Sequence, residues 1–90
     1  MSKKVFDPQF VALVAQRKQA YEFAFGPQSA SGKIVMDDLS RFCRLSKSAF
    51  HENDRVHALL EGRREVGLRV QDYLTLSLEE LCEKLIEGAK

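Results

Sequence analysis

The stretch "EGRREVGLRV", residues 61–70, decides how the rest of the chain is read. Its Val66 and Val70 continue an apolar series that runs from Val56, Leu59 and Leu60 to Tyr73 and Leu74, the recurrence of a helix. Two glycines and three arginines sit inside that helix, and a mid-helix Gly costs about 1 kcal/mol relative to Ala. A local benefit is therefore expected, either close approach of another helix or room for a large neighbouring side chain. Gly62 lies one turn from Leu59 and Val66, and Gly67 one turn from Arg63, Arg64 and Val70. Both read as close-packing glycines.

Arg63 falls at the border between the apolar stripe and the wet face. A partly buried guanidinium there needs a carboxylate, because an unpaired buried charge is strongly penalised. Asp37 and Asp38 are the natural candidates if the second and third helices pack antiparallel, and a bidentate fork from Arg63 or Arg64 would fix their register. The same pattern is also met by exposed arginines whose stems lie over the core.

Outward from this stretch, the third helix is expected over 55–74 with Asn53 or Asp54 as its cap. "TLSLEEL", residues 75–81, holds a capping box between Ser77 and Glu80, so a fourth helix follows over 78–87. It carries Leu78, Leu81, Cys82, Leu85 and Ile86, with Glu80 and Lys84 in the favourable i,i+4 order. Toward the N-terminus, Asp7 and Pro8 open a first helix over 8–25 with Phe10, Leu13, Val14, Ala20, Tyr21 and Ala24 as its stripe. Gly26 and Pro27 end it, Gly26 by adopting positive φ. "QSASGK" is a connector with Ser29 and Ser31 as possible caps. A second helix over 33–44 points Ile34, Val35, Leu39, Phe42 and Cys43 inward, and "LSKSAFHEND" is a loop with Phe50 tucked back onto the core. No alternating strand pattern or internal repeat competes. The expected fold is all-α, a small bundle of three to four helices with short loops, in one domain spanning 1–90.

Ninety residues bury only about 60–65% of the surface the unfolded chain exposes, so docking or oligomerisation is a reasonable expectation. A net charge of +1 supplies no global field for nucleic acid or an anionic membrane. Residues 1–36 carry five Lys/Arg against two acids and residues 37–90 nine against eleven, a weak gradient compatible with head-to-tail contacts between copies. No apolar run approaches a signal peptide or the ~20 residues of a membrane span, and the unpaired Cys43 and Cys82 read as buried, reduced thiols in an intracellular setting.

Chemistry-bearing patterns are weak. His51 and His57 lie across a loop-to-helix boundary and form no ligand pair, so no metal is expected. "ASGK" lacks the spacing and preceding strand of a phosphate loop, and neither Cys has a local nucleophile signature. No cofactor is expected, and the chain reads as no enzyme. The arginines of the third helix are interleaved with Asp54, Glu61, Glu65 and Asp72, a self-paired face rather than a DNA-reading one.

"YEFAFGPQSASGKIVMDDLSRFCRL", then "SAFHEND", then "EGRREVGLRVQDYL" together resemble a family of small bacteriophage proteins, a structural-domain family first delineated in a Bordetella phage. The resemblance rests on Tyr21, Phe25, Asp38, Leu39, Phe42, Cys43, Phe50 and Glu61-Gly62-Arg63-Arg64. It covers about residues 20–75, and the N-terminal helix from Pro8 to Gln19 departs from it. It implies a phage-encoded protein of the morphogenesis region; it does not imply a catalytic activity. The expected function is accordingly a virion-associated structural role, as a head, head–tail or ejected component. The protein would be assembled in the bacterial host cytoplasm and would act in multiple copies on itself or other virion proteins. Candidate interface residues are Val5, Phe6, Val11, Phe23, Phe25 and Met36. One alternative is a cytoplasmic module that binds a host protein. Another is a nucleic-acid-associated protein using Lys3, Lys4, Arg17, Lys18 and Lys33, with affinity falling steeply with salt.

Overall fold

Local capping chemistry sets where each helix begins. In a computed structural model describing residues 5–88, the helices are α1 (Pro8–Phe25), α2 (Ala30–Phe42), α3 (Asp54–Thr75) and α4 (Leu78–Gly88). Asp7 Oδ1 accepts from the Gln9 N–H at 3.0 Å, with Pro8 in the first turn. Ser29 Oγ accepts from the Gly32 N–H at 3.1 Å, so α2 starts three residues before the expected 33, at the earlier of the two candidate serines. Asn53 Oδ1 caps α3 through the Arg55 and Val56 N–H groups at 3.0 and 3.2 Å. The capping box of α4 is complete: Ser77 N–H donates to Glu80 Oε1 at 3.1 Å, and Glu80 N–H to Ser77 Oγ at 3.2 Å. The Ser77 backbone N–H, and after it the Ser77 hydroxyl, hold the exposed Glu80 carboxyl below its ordinary value of 4.5.

The helix ends differ from expectation. Gly26 closes α1 with φ −70°, not in the left-handed region. A Cβ on Gly32 would run into the Gly26 carbonyl oxygen, so here glycine permits α2 to pack backbone against backbone on the end of α1. The end of α2 is a Schellman motif without glycine. Arg44 takes φ 55°, its N–H donates to Arg41 O at 3.2 Å, and Leu45 N–H donates to Ser40 O at 3.0 Å.

α1 is the element that each of the other helices contacts. Its Val14 is fully buried with Tyr73, Leu81 and Cys82, and Phe6, Phe10, Val11, Tyr21 and Leu85 pack around them. The Tyr21 and Tyr73 rings stack in parallel at 4.3 Å, while the Tyr73 hydroxyl is buried without a partner among the described residues. Lys18 ties the bundle together by donating to Tyr73 O at 3.0 Å and Leu76 O at 2.9 Å, the bare carbonyls at the end of α3. Lys84 crosses to Asp72 at 2.7 Å instead of pairing with Glu80 on its own helix. The other buried apolar side chains are Cys43, Ala49, Leu60 and Val70.

Much apolar surface stays outside. Ile34, Val35 and Phe42, expected inward, are exposed; the inner face of α2 is Gly32, Met36, Leu39 and Cys43. Apolar residues fill more than half the circumference of this helix, so periodicity placed Leu39 and Cys43 correctly and set the rest of the stripe on the wrong side. Phe50 is likewise exposed, its ring edge-on to His57 at 5.8 Å.

Candidate functional site

The glycine–arginine stretch lies on α3 where α2 crosses it. Gly67 is buried, and a Cβ there would come within 2.7 Å of Cys43 Cβ and 2.9 Å of Leu45 Cδ2. The close approach of α2 to α3 therefore depends on the missing side chain. Gly62 is a different case. It is exposed, and among the described residues nothing lies within 4 Å of where its Cβ would stand, so it packs against none of the four helices.

The expected ion pair between Arg63 or Arg64 and Asp37 or Asp38 is not formed. Arg64 Nη1 donates to two carbonyl oxygens of the turn after α2, Arg44 O at 2.6 Å and Lys47 O at 2.7 Å. Carbonyl oxygens at a helix C-terminus carry partial negative charge and accept from a guanidinium where no carboxylate is in reach. Arg63 stacks over the Phe42 ring at 4.5 Å. Asp37 pairs with Arg41 on its own helix at 3.3 Å, and Asp38 is exposed. The register that an ion pair was expected to set is set by a packed glycine and a capped turn.

The six candidate interface residues divide. Val5 and Phe23 stand out in solvent, Phe23 with 89% of its surface accessible. Phe6 and Val11 belong to the edge of the core, and Phe25 and Met36 are half-buried. Phe6 rests against Phe10 at 6.4 Å and Phe25 against Tyr21 at 6.1 Å. Phe42, Leu59 and Val66 were read as core and are exposed. The signal that could have separated them is an excess of apolar positions, since α3 carries two stripes and has neighbours for only one.

The second stripe has a heptad spacing. Leu59, Val66 and Tyr73 lie above one another on α3, with 53%, 65% and 1% of their surfaces accessible. Beneath α1 and α4 the stripe is buried at Tyr73; toward the N-terminus of α3 it emerges uncovered. Val66 and Tyr73 also line a shallow groove of about 760 Å³ with Phe10, Leu81 and Leu85. Its charged lining is mixed, with Arg17, Arg69 and Lys84 against Glu65 and Asp72. Lys3 and Lys4 lie outside the described residues, so the basic set Lys3, Lys4, Arg17, Lys18 and Lys33 is described only in part. Within it, Lys18 is committed to the α3 carbonyls. Among the described residues no group of three or more His, Cys, Asp or Glu is placed to hold a metal, and no helix is long and apolar enough to cross a membrane.

A family profile described as Bbp19-like phage protein matches residues 21–87, about three quarters of the chain. The chain belongs to that family. Neither a curated protein nor a solved structure matches it. The Bbp19-like segment starts in the last turns of α1 and takes in α2, the 43–53 loop, α3 and nearly all of α4. It thus extends beyond the 20–75 span of the sequence resemblance to include α4. Both the Gly67 crossing and the emergent stripe fall inside the Bbp19-like segment. Val14 and Lys18 lie before it, although they complete its core and cap α3.

Proposed function

We propose that this Bbp19-like phage protein is a non-enzymatic structural component of the virion, in the head, at the head–tail connection or among ejected proteins. It works in multiple copies through protein–protein contacts. The observation that carries this reading is the apolar surface left outside a very small core: Phe23, Ile34, Phe42, Phe50, Leu59 and Val66 are all exposed. Exposed apolar surface on that scale is a liability in a monomer and an asset in an assembly. A 90-residue chain with a small core also gains stability when partners cover it.

Mass spectrometry of purified parent particles tests the reading. Peptides from this chain, at a stoichiometry of several copies per particle, are the expected result. Their absence from intact particles, with the protein abundant in infected cells, would overturn it in favour of a cytoplasmic module that binds a host protein.

A further inference from the structure

We propose that the uncovered stripe of α3 is a self-association surface, on which α3 of a second copy lies antiparallel and crosses at Gly62. The inference rests on the reading above that the chain acts through protein–protein contacts, and it names the first partner as the chain itself. Gly62 is the starting point. An exposed glycine in the middle of a 22-residue helix weakens that helix, and no neighbour among the described residues occupies the space its missing side chain leaves. The vacancy is flanked one turn to either side by Leu59 and Val66, both largely exposed. A helix laid across this point meets backbone at the crossing and an apolar side chain on each side.

The second copy is the occupant that the stripe fits best. In a twofold pairing each contact occurs twice, residue i against j and j against i. Antiparallel α3 helices crossing at Gly62 place Leu59 of each copy over Val66 of the other. Gly62 then faces its own counterpart, where the absence of Cβ on both chains permits close approach. The edge of the patch carries both signs of charge, as self-recognition requires: Arg63, stacked on the exposed Phe42, belongs to α3, and the exposed Asp38 lies one turn before Phe42 on α2. Twofold pairing brings an edge of this composition against itself, so that cation can meet anion across the dimer.

Sedimentation equilibrium of the full chain under reducing conditions tests the proposal. A dimer is expected. Leu59→Glu combined with Val66→Glu should raise its dissociation constant by about a hundredfold or more, with an unchanged helical circular dichroism spectrum because both sites are exposed in the monomer. Gly62→Leu is the sharper variant. It meets nothing within its own chain, so it should raise the melting temperature of dilute protein while weakening the dimer. A monomer at all concentrations would overturn the proposal, as would an oligomer indifferent to these substitutions. Failure here is distinguishable from failure of the virion role: a monomer found in particles retains that role, and a dimer missing from particles retains the interface.

Discussion

The same substitution, made five residues apart on α3, should change stability in opposite directions. Gly62→Ala places a methyl group in open space and replaces the poorest ordinary helix former by the best. The helix-propensity difference of about 0.8–1.0 kcal/mol should appear almost in full. Gly67→Ala gains the same propensity but sets its Cβ 2.7 Å from Cys43 Cβ and 3.0 Å from Cys43 Sγ. Cys43 Cβ is anchored to the cap of α2 and cannot rotate away, so α2 must lift from α3. Overpacking of this kind costs about 1–3 kcal/mol and here also loosens Leu45, so a net loss of about 1–2 kcal/mol is expected. In a domain of this length each kcal/mol moves the midpoint by roughly 4–8 °C. Thermal unfolding followed at 222 nm, in dilute reduced protein, should therefore show Gly62→Ala melting several degrees above the parent and Gly67→Ala roughly 5–15 °C below it. Equal shifts for the two variants would refute the argument, because α2 would then not depend on Gly67 for its position.

Four further outcomes follow from individual contacts. Lys18→Met keeps the stem of the side chain but removes the donor to Tyr73 O and Leu76 O; a loss of about 2–3 kcal/mol in urea unfolding is expected, and a neutral result would mean that water caps α3 as well as Lys18 does. Arg44→Gly relieves the left-handed residue of the Schellman motif and should stabilise by about 1 kcal/mol, read as an upward shift of the urea midpoint. Tyr73→Phe deletes a buried hydroxyl that lacks a partner and should be neutral to slightly stabilising by calorimetry, whereas a clear loss would reveal a hydrogen bond at that oxygen. Glu80 has its carboxyl held below 4.5 in the folded state, so its contribution is present above the ordinary value and is lost as pH falls through the lower folded value. Glu80→Gln should accordingly flatten the acid side of a plot of melting temperature against pH, and an unchanged slope there would rule the capping carboxylate out as its source.

Helix existence and helix starts were legible because capping is local. Asp7, Asn53 and Ser77 with Glu80 act through backbone groups two or three residues away, so sequence neighbours alone specify them. The family was legible for a similar reason, since its profile runs through a nearly continuous segment of the chain. The end of α2 was less legible. Arg44 occupies a left-handed position where glycine is the usual signal, and its turn is held by Arg64 from another helix.

What the sequence determined by itself is four helices and the caps that begin α1 and α4, with two candidate caps each for α2 and α3. What only the tertiary structure decided is which apolar stripe of each helix is covered. α2 and α3 carry more apolar surface than their neighbours can bury, so Ile34, Phe42, Leu59 and Val66 look the same in sequence as Met36, Leu39, Leu60 and Val70. Burial depends on where a second helix happens to lie, and that is fixed by contacts far apart in the chain: Gly67 on Cys43, Tyr73 on Tyr21, Lys18 on the end of α3. The same distinction separates the two glycines, whose local surroundings are alike. Gly67 has a helix against it and Gly62 has open space, and no periodicity within α3 could tell one from the other.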